Sequence, residues 1–404
     1  MPFTKLGLHH DLVEAIKAMG FTEPTPIQRE AIPIAIEGHD LLGCAQTGSG
    51  KTAAFALPAL NRLLKHKGNS PRILILVPTR ELATQVESVF LECGRFTHVK
   101  TVVIIGGAGF FGQKKAVSKG AEVVVATPGR LLDHLDNGSF RLDKVEMLVL
   151  DEADRMLDMG FIPDVRNIIG RLPKERQTML FSATLNSDIE RIASFALRHP
   201  KRVEISRPAS TPDSISQIIY PISQDQKSDF LLALMRAIQM RSVLIFCRTK
   251  RGADRLSRRL IMENMSVGVL HADKTQSQRT AAMDLFRRGK TQILVATDIA
   301  ARGIDVHDIS HVINYDVPQH AQDYVHRVGR TARAYKVGDA IMLMDHAEQS
   351  YVTMIERFVG ITFPRALLPN FPYKVVPQLA PSKPRTLVAF RSGRRFGGTF
   401  RGRR

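Results

Sequence analysis

The chain has 404 residues, of which 44% are hydrophobic and 24% charged, and its net charge is +18. The length allows two domains that each bury a core. The basic balance favours a polyanionic partner, either nucleic acid or an anionic membrane surface. No apolar run reaches the roughly 18 residues of a membrane span, and the N-terminus lacks the layout of a signal peptide. We therefore expect a cytoplasmic protein.

The three cysteines, Cys44, Cys93 and Cys247, lie far apart and show no CxxC spacing. We expect reduced, buried thiols, without a disulfide or metal role.

Two helices are predicted at the start of the chain. Residues 3–19 show helical spacing of apolar side chains, and Thr25 can cap a second helix that begins at Pro26. Gln28 lies in the first turn of this helix. Its amide can donate and accept a hydrogen bond at once, which suits the N6 and N7 atoms of adenine. From this residue alone, a solvated helix position is the favoured alternative.

A glycine-rich turn follows, with the sequence AQTGSGKT at residues 45–52 between a short apolar run and a helical pattern. Such a turn aims backbone N–H groups and a helix N-terminus at one point, where a phosphate would sit. Lys51 would reach the β- and γ-phosphates, and Thr52 would hold Mg²⁺. Ala45 replaces the glycine of the general pattern, and an ordinary tight strand-to-helix turn is the alternative.

Apolar runs at residues 73–77, 99–105 and 123–126 each end in a small or basic turn, and this scheme predicts a doubly wound parallel sheet. Another run, residues 147–150, leads directly into Asp151 and Glu152. Acids at the end of a buried strand are costly unless a cation meets them. Asp151 would hold Mg²⁺, and Glu152 would orient and deprotonate the attacking water. The alternative, a solvated helix N-terminus, explains Asp154 better than Asp151.

The second half begins after a polar, proline-containing break at residues 208–216, which we interpret as a linker. Strands at residues 242–247, 267–270 and 292–296 alternate with helices and predict a second α/β domain without a phosphate loop. Its turns carry arginines, among them Arg327 and Arg330, which could stabilise a transferring phosphoryl group across a cleft. A salt-bridged helix surface is the alternative for both.

These motifs together resemble the DEAD-box RNA helicases of superfamily 2, from Phe3 to about residue 365. Gln28 is followed in family order by AQTGSGKT, PTRELA, GG, TPGR, DEAD, SAT, LIFC, ATDIAARGID and HRVGRTAR. The run DEADRMLDMGF and the short basic tail look most like the bacterial RhlE-like branch. Two positions depart from the family: Ala332 and Ala272 stand where it usually has glycine.

The resemblance implies a magnesium-dependent, RNA-dependent ATPase and helicase with two tandem RecA-like domains. Residues 1–207 would form the ATP-binding domain, 208–216 the linker, 217–370 the second helicase domain and 371–404 a flexible basic tail. The expected catalytic residues are Lys51, Asp151, Glu152, Arg327 and Arg330, with Thr52 and Asp151 on Mg²⁺. The implied nucleotide contacts are Phe3, Phe21, Gln28, Gln46, Thr47, Gly48, Ser49, Gly50, Lys51, Thr52 and Asp305.

The resemblance also implies a coupling segment and an RNA surface. Ser182, Thr184 and His326 would couple nucleotide binding to RNA binding. The implied RNA contacts are Pro78, Thr79, Arg80, Gly106, Gly107, Thr127, Gly129, Arg130, Arg248, Gln276, Arg279, Thr297 and Asp298.

The last 34 residues carry nine basic and no acidic side chains, which is half of the net positive charge. Arginine and glycine with Phe396 and Phe400 are typical of a flexible arm that binds RNA, and a merely solubilising tail is the alternative.

Two other functions stay open for the protein: a non-hydrolysing RNA-binding scaffold and a DNA translocase. We expect a monomer that binds single-stranded and short duplex RNA with little sequence preference, with ribosome-assembly or RNA-decay proteins as candidate partners.

Overall fold

The structure, a computed structural model, describes residues 2–45, 48–205, 215–301, 309–329 and 338–377. The first α/β domain contains α1 His10–Ala18, α2 Pro26–Ile36, β1 Leu41–Cys44, α3 Lys51–Leu63, β2 Ile73–Leu76, α4 Arg80–Cys93, β3 Thr101–Ile104, α5 Phe110–Ser118, β4 Val123–Ala126, α6 Pro128–Asp136, β5 Met147–Leu150, α7 Ala153–Asp158, α8 Ile162–Gly170, β6 Gln177–Ser182, α9 Ser187–Ala196 and β7 Lys201–Glu204.

The second α/β domain follows the same alternation. It contains β8 Ile215–Pro221, α10 Lys227–Ala237, β9 Val243–Cys247, α11 Lys250–Met262, β10 Val267–Leu270, α12 Gln276–Arg287, β11 Ile293–Thr297, α13 Asp298–Ala301, β12 His311–Asn314, α14 Ala321–Val328, β13 Gly338–Met344 and α15 Gln349–Val359. Short 3₁₀ turns lie at Phe3–Lys5 and His346–Glu348.

Each domain contains one parallel sheet, as the sequence predicts. The strand order is β3-β4-β2-β5-β6-β1-β7 in the first and β10-β11-β9-β12-β13-β8 in the second. The central strands β2, β4 and β5 are buried throughout, because helices cover both faces of the sheet with separate apolar clusters. The strand order places the ends of β1, β6 and β5 side by side, so the segments that follow them share one edge.

The N-terminal segment departs from the single helical pattern of residues 3–19. A 3₁₀ turn at Phe3–Lys5 and the helix α1 take the place of one helix. Gly7 lies between them and has a φ of +76°, which interrupts the helical backbone. The predicted start of α2 at Pro26 is confirmed, with Thr25 and Gln28 forming a capping box.

Both predicted boundaries of the second domain differ from the structure. β8 begins at Ile215, inside the segment interpreted as a linker, because it pairs with β13. Residues 371–374, predicted to belong to the tail, pack on the domain: the rings of Phe371 and Tyr373 lie 5.1 and 6.1 Å from that of Phe230. The remainder of the predicted tail, residues 378–404, lies outside the described residues, as do residues 208–214 of the predicted linker. Among the described helices, none is long and apolar enough to cross a membrane.

Candidate functional site

The glycine-rich turn connects β1 to α3 at the carboxyl edge of the first sheet. Gly48 and Gly50 have φ angles of +85° and +89°, which an L side chain rarely adopts. The buried Lys51 begins α3 and its Nζ donates to the carbonyl of Ala45 at 2.8 Å. The lysine is therefore held across the turn whose N–H groups would meet a phosphate. Gln46 and Thr47 lie outside the described residues.

Gln28 contacts this turn from α2. Its Nε2 donates to the Gly50 carbonyl at 3.0 Å, and its Oε1 accepts from the Thr25 N–H at 3.0 Å. A Cβ atom at Gly50 would lie 2.4 Å from Gln28 Nε2, so a larger residue there would displace the Gln28 amide and would also strain the backbone. Each polar end of the Gln28 amide makes one hydrogen bond within the protein and keeps a second N–H or lone pair, so the contact with adenine stays a prediction.

The two aromatic residues predicted to contact the nucleotide lie in different environments. Phe3 is 6% exposed and belongs to the core of the first domain, so its ring supports the N-terminal segment and does not line an open site. This is a correction to its predicted role. Phe21 is 53% exposed and lines a surface groove together with Met19 and Leu91.

The acids after β5 form the second part of the site. Asp151 is buried, and this burial raises its pKa to about 7 although the charge of Lys51 opposes the shift. Asp151 Oδ1 accepts from the Glu152 N–H at 3.0 Å. Glu152 is a left-handed residue with φ +53°, and its Oε2 lies 3.1 Å from Arg155 Nη1. Left-handed backbone at a residue other than glycine is costly, and it concentrates at functional sites.

Asp154 connects the acids to the segment after β6. Its Oδ2 accepts from the Ala183 N–H at 3.1 Å, and the Thr184 N–H donates to Ser182 Oγ at 3.2 Å. Asp154 is buried, so the interpretation as a solvated helix acid is wrong for this residue. The position of Asp154 in the DEAD sequence, three residues after Asp151, could have indicated that it connects the acids to the segment after β6.

The donor set fits Mg²⁺ only together with a bound phosphate. Asp151 and the partly buried Thr52 are the oxygen donors, and the described part of the chain contains no group of three or more His, Cys, Asp or Glu side chains that could hold a metal alone. Mg²⁺ is commonly bound by one or two carboxylates plus substrate phosphates. The buried Asp151 carboxylate, placed beside the glycine-rich turn, matches such a requirement.

The residues predicted to contact RNA in the first domain meet at the same sheet edge. Arg80 packs against the Gly106-Gly107 turn, where a Cβ atom at Gly107 would lie 2.3 Å from Arg80 Nη1. Burial lowers the pKa of Arg80, and so do the nearby charges of Arg279 and Arg130. Three guanidinium groups thus share one region, which attracts an anion. The other predicted contacts on this side are Pro78, Thr79, Thr127 and Gly129, and of these Thr79 and Thr127 are the N-cap residues of α4 and α6.

The second domain contributes to this region directly. Arg279 Nη2 lies 2.9 Å from Glu81 Oε2, and Gln276 Nε2 donates to Glu81 Oε1 at 3.3 Å. The structure therefore brings together predicted contacts from both domains. Glu81 was not among the predicted site residues, although it follows Arg80 directly in the PTRELA motif.

Arg327 differs most from its prediction as an arginine finger. It is 3% exposed, and its guanidinium makes four hydrogen bonds of 2.6 to 2.8 Å to Asp298, Asn314 and the carbonyl of Asp316. All of these partners belong to the second domain. The guanidinium is consequently engaged within the second domain, and this arrangement does not support its prediction as an arginine finger. Asp298, a predicted RNA contact, is held in the same network.

The remaining predicted residues of the second domain divide into two groups. Arg248 donates to Glu348, which also accepts from the fully buried Lys227 at 2.7 Å. Glu348 thereby orients Arg248, a role that the sequence did not reveal. Thr297 is buried at the end of β11, and His326 lies on α14. Arg330 and Asp305 lie outside the described residues.

This fold and site define a protein of two tandem α/β domains with a glycine-rich turn and buried acids at one edge of the first sheet. Comparison with known sequences identifies its family. The pattern described as DEAD/DEAH box helicase matches residues 25–192, and that of the helicase conserved C-terminal domain matches residues 226–335. ATP-dependent RNA helicase CshA of Listeria monocytogenes is 43% identical over 354 residues, which cover 88% of this chain and 68% of that protein. ATP-dependent rRNA helicase RRP3 of Saccharomyces cerevisiae is 42% identical, over 90% of this chain and 73% of that protein.

Solved structures show the same relationship. S. cerevisiae Dbp5 bound to RNA and ADP BeF3 matches with a TM-score of 0.83 and 32% identity, over 90% of this chain and 95% of that chain. Mss116p bound to ssRNA and AMP-PNP matches with a TM-score of 0.82 and 27% identity, over 89% of this chain and 77% of that chain. The chain belongs to the DEAD-box family of ATP-dependent RNA helicases.

Proposed function

We propose that this helicase clamps RNA between its two domains and couples the clamp to hydrolysis of ATP. The observation that carries the proposal is the meeting of Arg80 and Arg130 with Arg279 across the domain boundary. Groups that contact backbone phosphates carry no sequence information. Binding should therefore depend little on base sequence, and the 2′-hydroxyl groups would distinguish RNA from DNA.

For ATP hydrolysis, Lys51 binds the phosphates and Glu152 orients and deprotonates the attacking water. Asp151 and Thr52 would hold Mg²⁺, which supplies charge neutralisation on the phosphates. Arg330 is the proposed arginine finger, whereas Arg327 has a positioning role because its guanidinium is already bound by Asp298. The contact between Asp154 and Ala183 supports a coupling role for the segment of Ser182 and Thr184.

The cellular context remains part of the proposal. Relatives are named rRNA helicases, so structured ribosomal RNA is the first substrate class to test. We further propose a monomer in the cytoplasm, a basic tail that adds RNA affinity, and membership of the RhlE-like branch. The tail and branch assignments rest on sequence features alone.

The experiment uses Glu152→Gln, which keeps the shape of the side chain but removes the base. This variant should lose ATP turnover and retain ATP-dependent RNA binding, measured by filter binding with and without ATP. Glu175→Gln is the matched control, because the Glu175 side chain is 95% exposed and should tolerate the change. Normal hydrolysis by Glu152→Gln would show that the assigned base is wrong.

A further inference from the structure

The helix α5 has an exposed face that contains none of the predicted RNA contacts. Phe111, Lys114, Lys115 and Ser118 lie on this face at helical spacing, and all four are exposed. Phe111 is 83% exposed, more than any other large hydrophobic residue in the described ranges. A phenylalanine in such a position has apolar surface without a protein partner.

Phe111 nevertheless lies beside residues that contact a predicted RNA contact. Its ring lies edge-on to Phe110, with centroids 6.1 Å apart, and Phe110 stacks on His134 at 3.9 Å. The Arg130 guanidinium lies 5.3 Å from the Phe110 centroid. Gln113 attaches α5 to the end of β3, because its Nε2 donates to the Ile105 carbonyl at 2.9 Å. The aromatic pair thus extends outward from a proposed RNA contact.

The chain segment that contains Phe111 is basic. Residues 98–121 contain four lysines and no acidic residue. Lys100 on the preceding segment donates to the Lys119 carbonyl at 3.1 Å, so it joins the lysines of α5 at the sheet edge formed by β3. We name Phe111 with Lys100, Lys114, Lys115 and Lys119 the α5 face.

We propose that the α5 face binds a single-stranded extension of RNA as it leaves the groove, with Phe111 stacked on an unpaired base and the lysines on phosphates. The inference rests on the proposed RNA path past Arg80 and Arg130. Unpaired RNA is the occupant that fits, because an aromatic ring stacks on splayed bases while lysines neutralise the backbone. A membrane surface would require a broader apolar stripe than one phenylalanine.

The binding surface adds affinity that depends on RNA length. A strand that fills only the groove does not reach Phe111, whereas a longer strand contacts both surfaces. Stacking on one aromatic residue is worth roughly a tenfold change in affinity, and each phosphate contact adds about 0.7 to the slope of log affinity against log salt for single strands.

The first test exploits the absence of tryptophan from the chain. Phe111→Trp introduces a single fluorophore, and oligouridine should quench its emission because the base stacks on the indole. Phe96→Trp is the control, since Phe96 is also on the first domain and 53% exposed but lies outside the α5 face. Quenching at position 111 alone supports the proposal. Equal quenching at both positions, or none at 111 under saturating oligouridine, would overturn it.

The second test measures oligouridine affinity at two lengths. Phe111→Ala should weaken binding of the longer strand roughly tenfold and Phe111→Tyr should restore it, while Phe96→Ala should have no effect. Lys114→Gln with Lys115→Gln should reduce the salt slope by about 1.4. Unchanged affinity and salt slope in these variants would refute RNA binding by the α5 face but would leave the proposed function intact. Failure of the wild-type protein to bind either strand would instead refute the proposed function.

Discussion

Glu81 of the first domain and Arg279 of the second form an ion pair of 2.9 Å whose side chains are 9% and 11% exposed. The pair is nearly buried, so loss of one partner leaves a charge without compensation. Arg80 lies beside it and has its pKa lowered in part by Arg279. Glu81 therefore offsets repulsion between arginines at the point where the two domains meet.

Glu81→Gln should weaken closure of the domains. Breaking a buried pair costs about 3 kcal/mol or more, which corresponds to roughly a hundredfold loss in RNA-stimulated ATP hydrolysis. Steady-state hydrolysis at saturating RNA measures this effect. Glu81→Asp keeps the carboxylate and leaves the proposed RNA contact Arg279 in place, so it should retain part of the rate. A full rate in Glu81→Gln would show that the pair does not contribute to closure.

Arg327→Lys should destabilise the second domain. Lysine cannot replace the four hydrogen bonds of the guanidinium, and Asp298 would keep an imperfectly paired charge. We expect the free energy of unfolding to fall by about 3 kcal/mol, measured by urea denaturation. Arg330→Lys, at the proposed finger, should lose hydrolysis with little change in stability. Loss of hydrolysis without loss of stability in Arg327→Lys, with normal hydrolysis in Arg330→Lys, would indicate that Arg327 is the arginine finger.

The behaviour of Arg327 shows where prediction from sequence ends. The strands β2, β4 and β5 were predictable because a local apolar run suffices to identify a strand buried on both faces. The burial of Arg327 depends on Asp298, which lies 29 residues earlier in the chain. No local pattern reports such a distant partner.

Gly50→Ala should abolish ATP binding. The added Cβ would combine a strained φ of +89° with a contact of 2.4 Å to Gln28 Nε2. Gly20→Ala provides the control, because Gly20 has φ +80° but no atom within 4 Å of an added Cβ. It should lose about 1 kcal/mol of stability from backbone strain and retain ATP binding. Isothermal titration with ATP compares the two, and equal affinities would contradict a special role for the turn.

Asp151 should make the stability of the metal-free, nucleotide-free protein depend on pH. Its folded pKa of about 7 lies above the ordinary value of 3.8. The stabilising effect of its protonated form is therefore complete below about pH 4 and is lost as pH rises through about 7. Asp151→Asn removes this loss, so the variant should become more stable than wild type at pH 8, by up to about 4 kcal/mol.

Urea denaturation of the first domain at several pH values, with a chelator present, checks this prediction. Asp143→Asn is the control, because the Asp143 side chain is 57% exposed and should show no such pH-dependent gain. A difference between wild type and Asp151→Asn that stays constant from pH 4 to 8 would mean that Asp151 is already ionised throughout, with no raised pKa.

The candidate site was predictable as a set of segments but not as a set of contacts. The order of motifs placed Lys51, Asp151 and Ser182 at one sheet edge, and the strand order β5-β6-β1 explains why. The amide of Gln28, however, is directed by Gly50, 22 residues later in the chain. Likewise, Phe371 packs on Phe230, a residue far earlier in the chain, so no local sequence pattern indicates this contact.

The central claim, RNA-dependent hydrolysis of ATP, is tested most directly by steady-state phosphate release. The rate is measured without nucleic acid, with single-stranded RNA and with DNA of the same sequence, and Lys51→Ala serves as the blank. We predict strong stimulation by RNA and little by DNA. Equal stimulation by DNA would favour a DNA translocase. Hydrolysis no higher than that of Lys51→Ala would contradict the account and indicate an RNA-binding scaffold that does not use ATP.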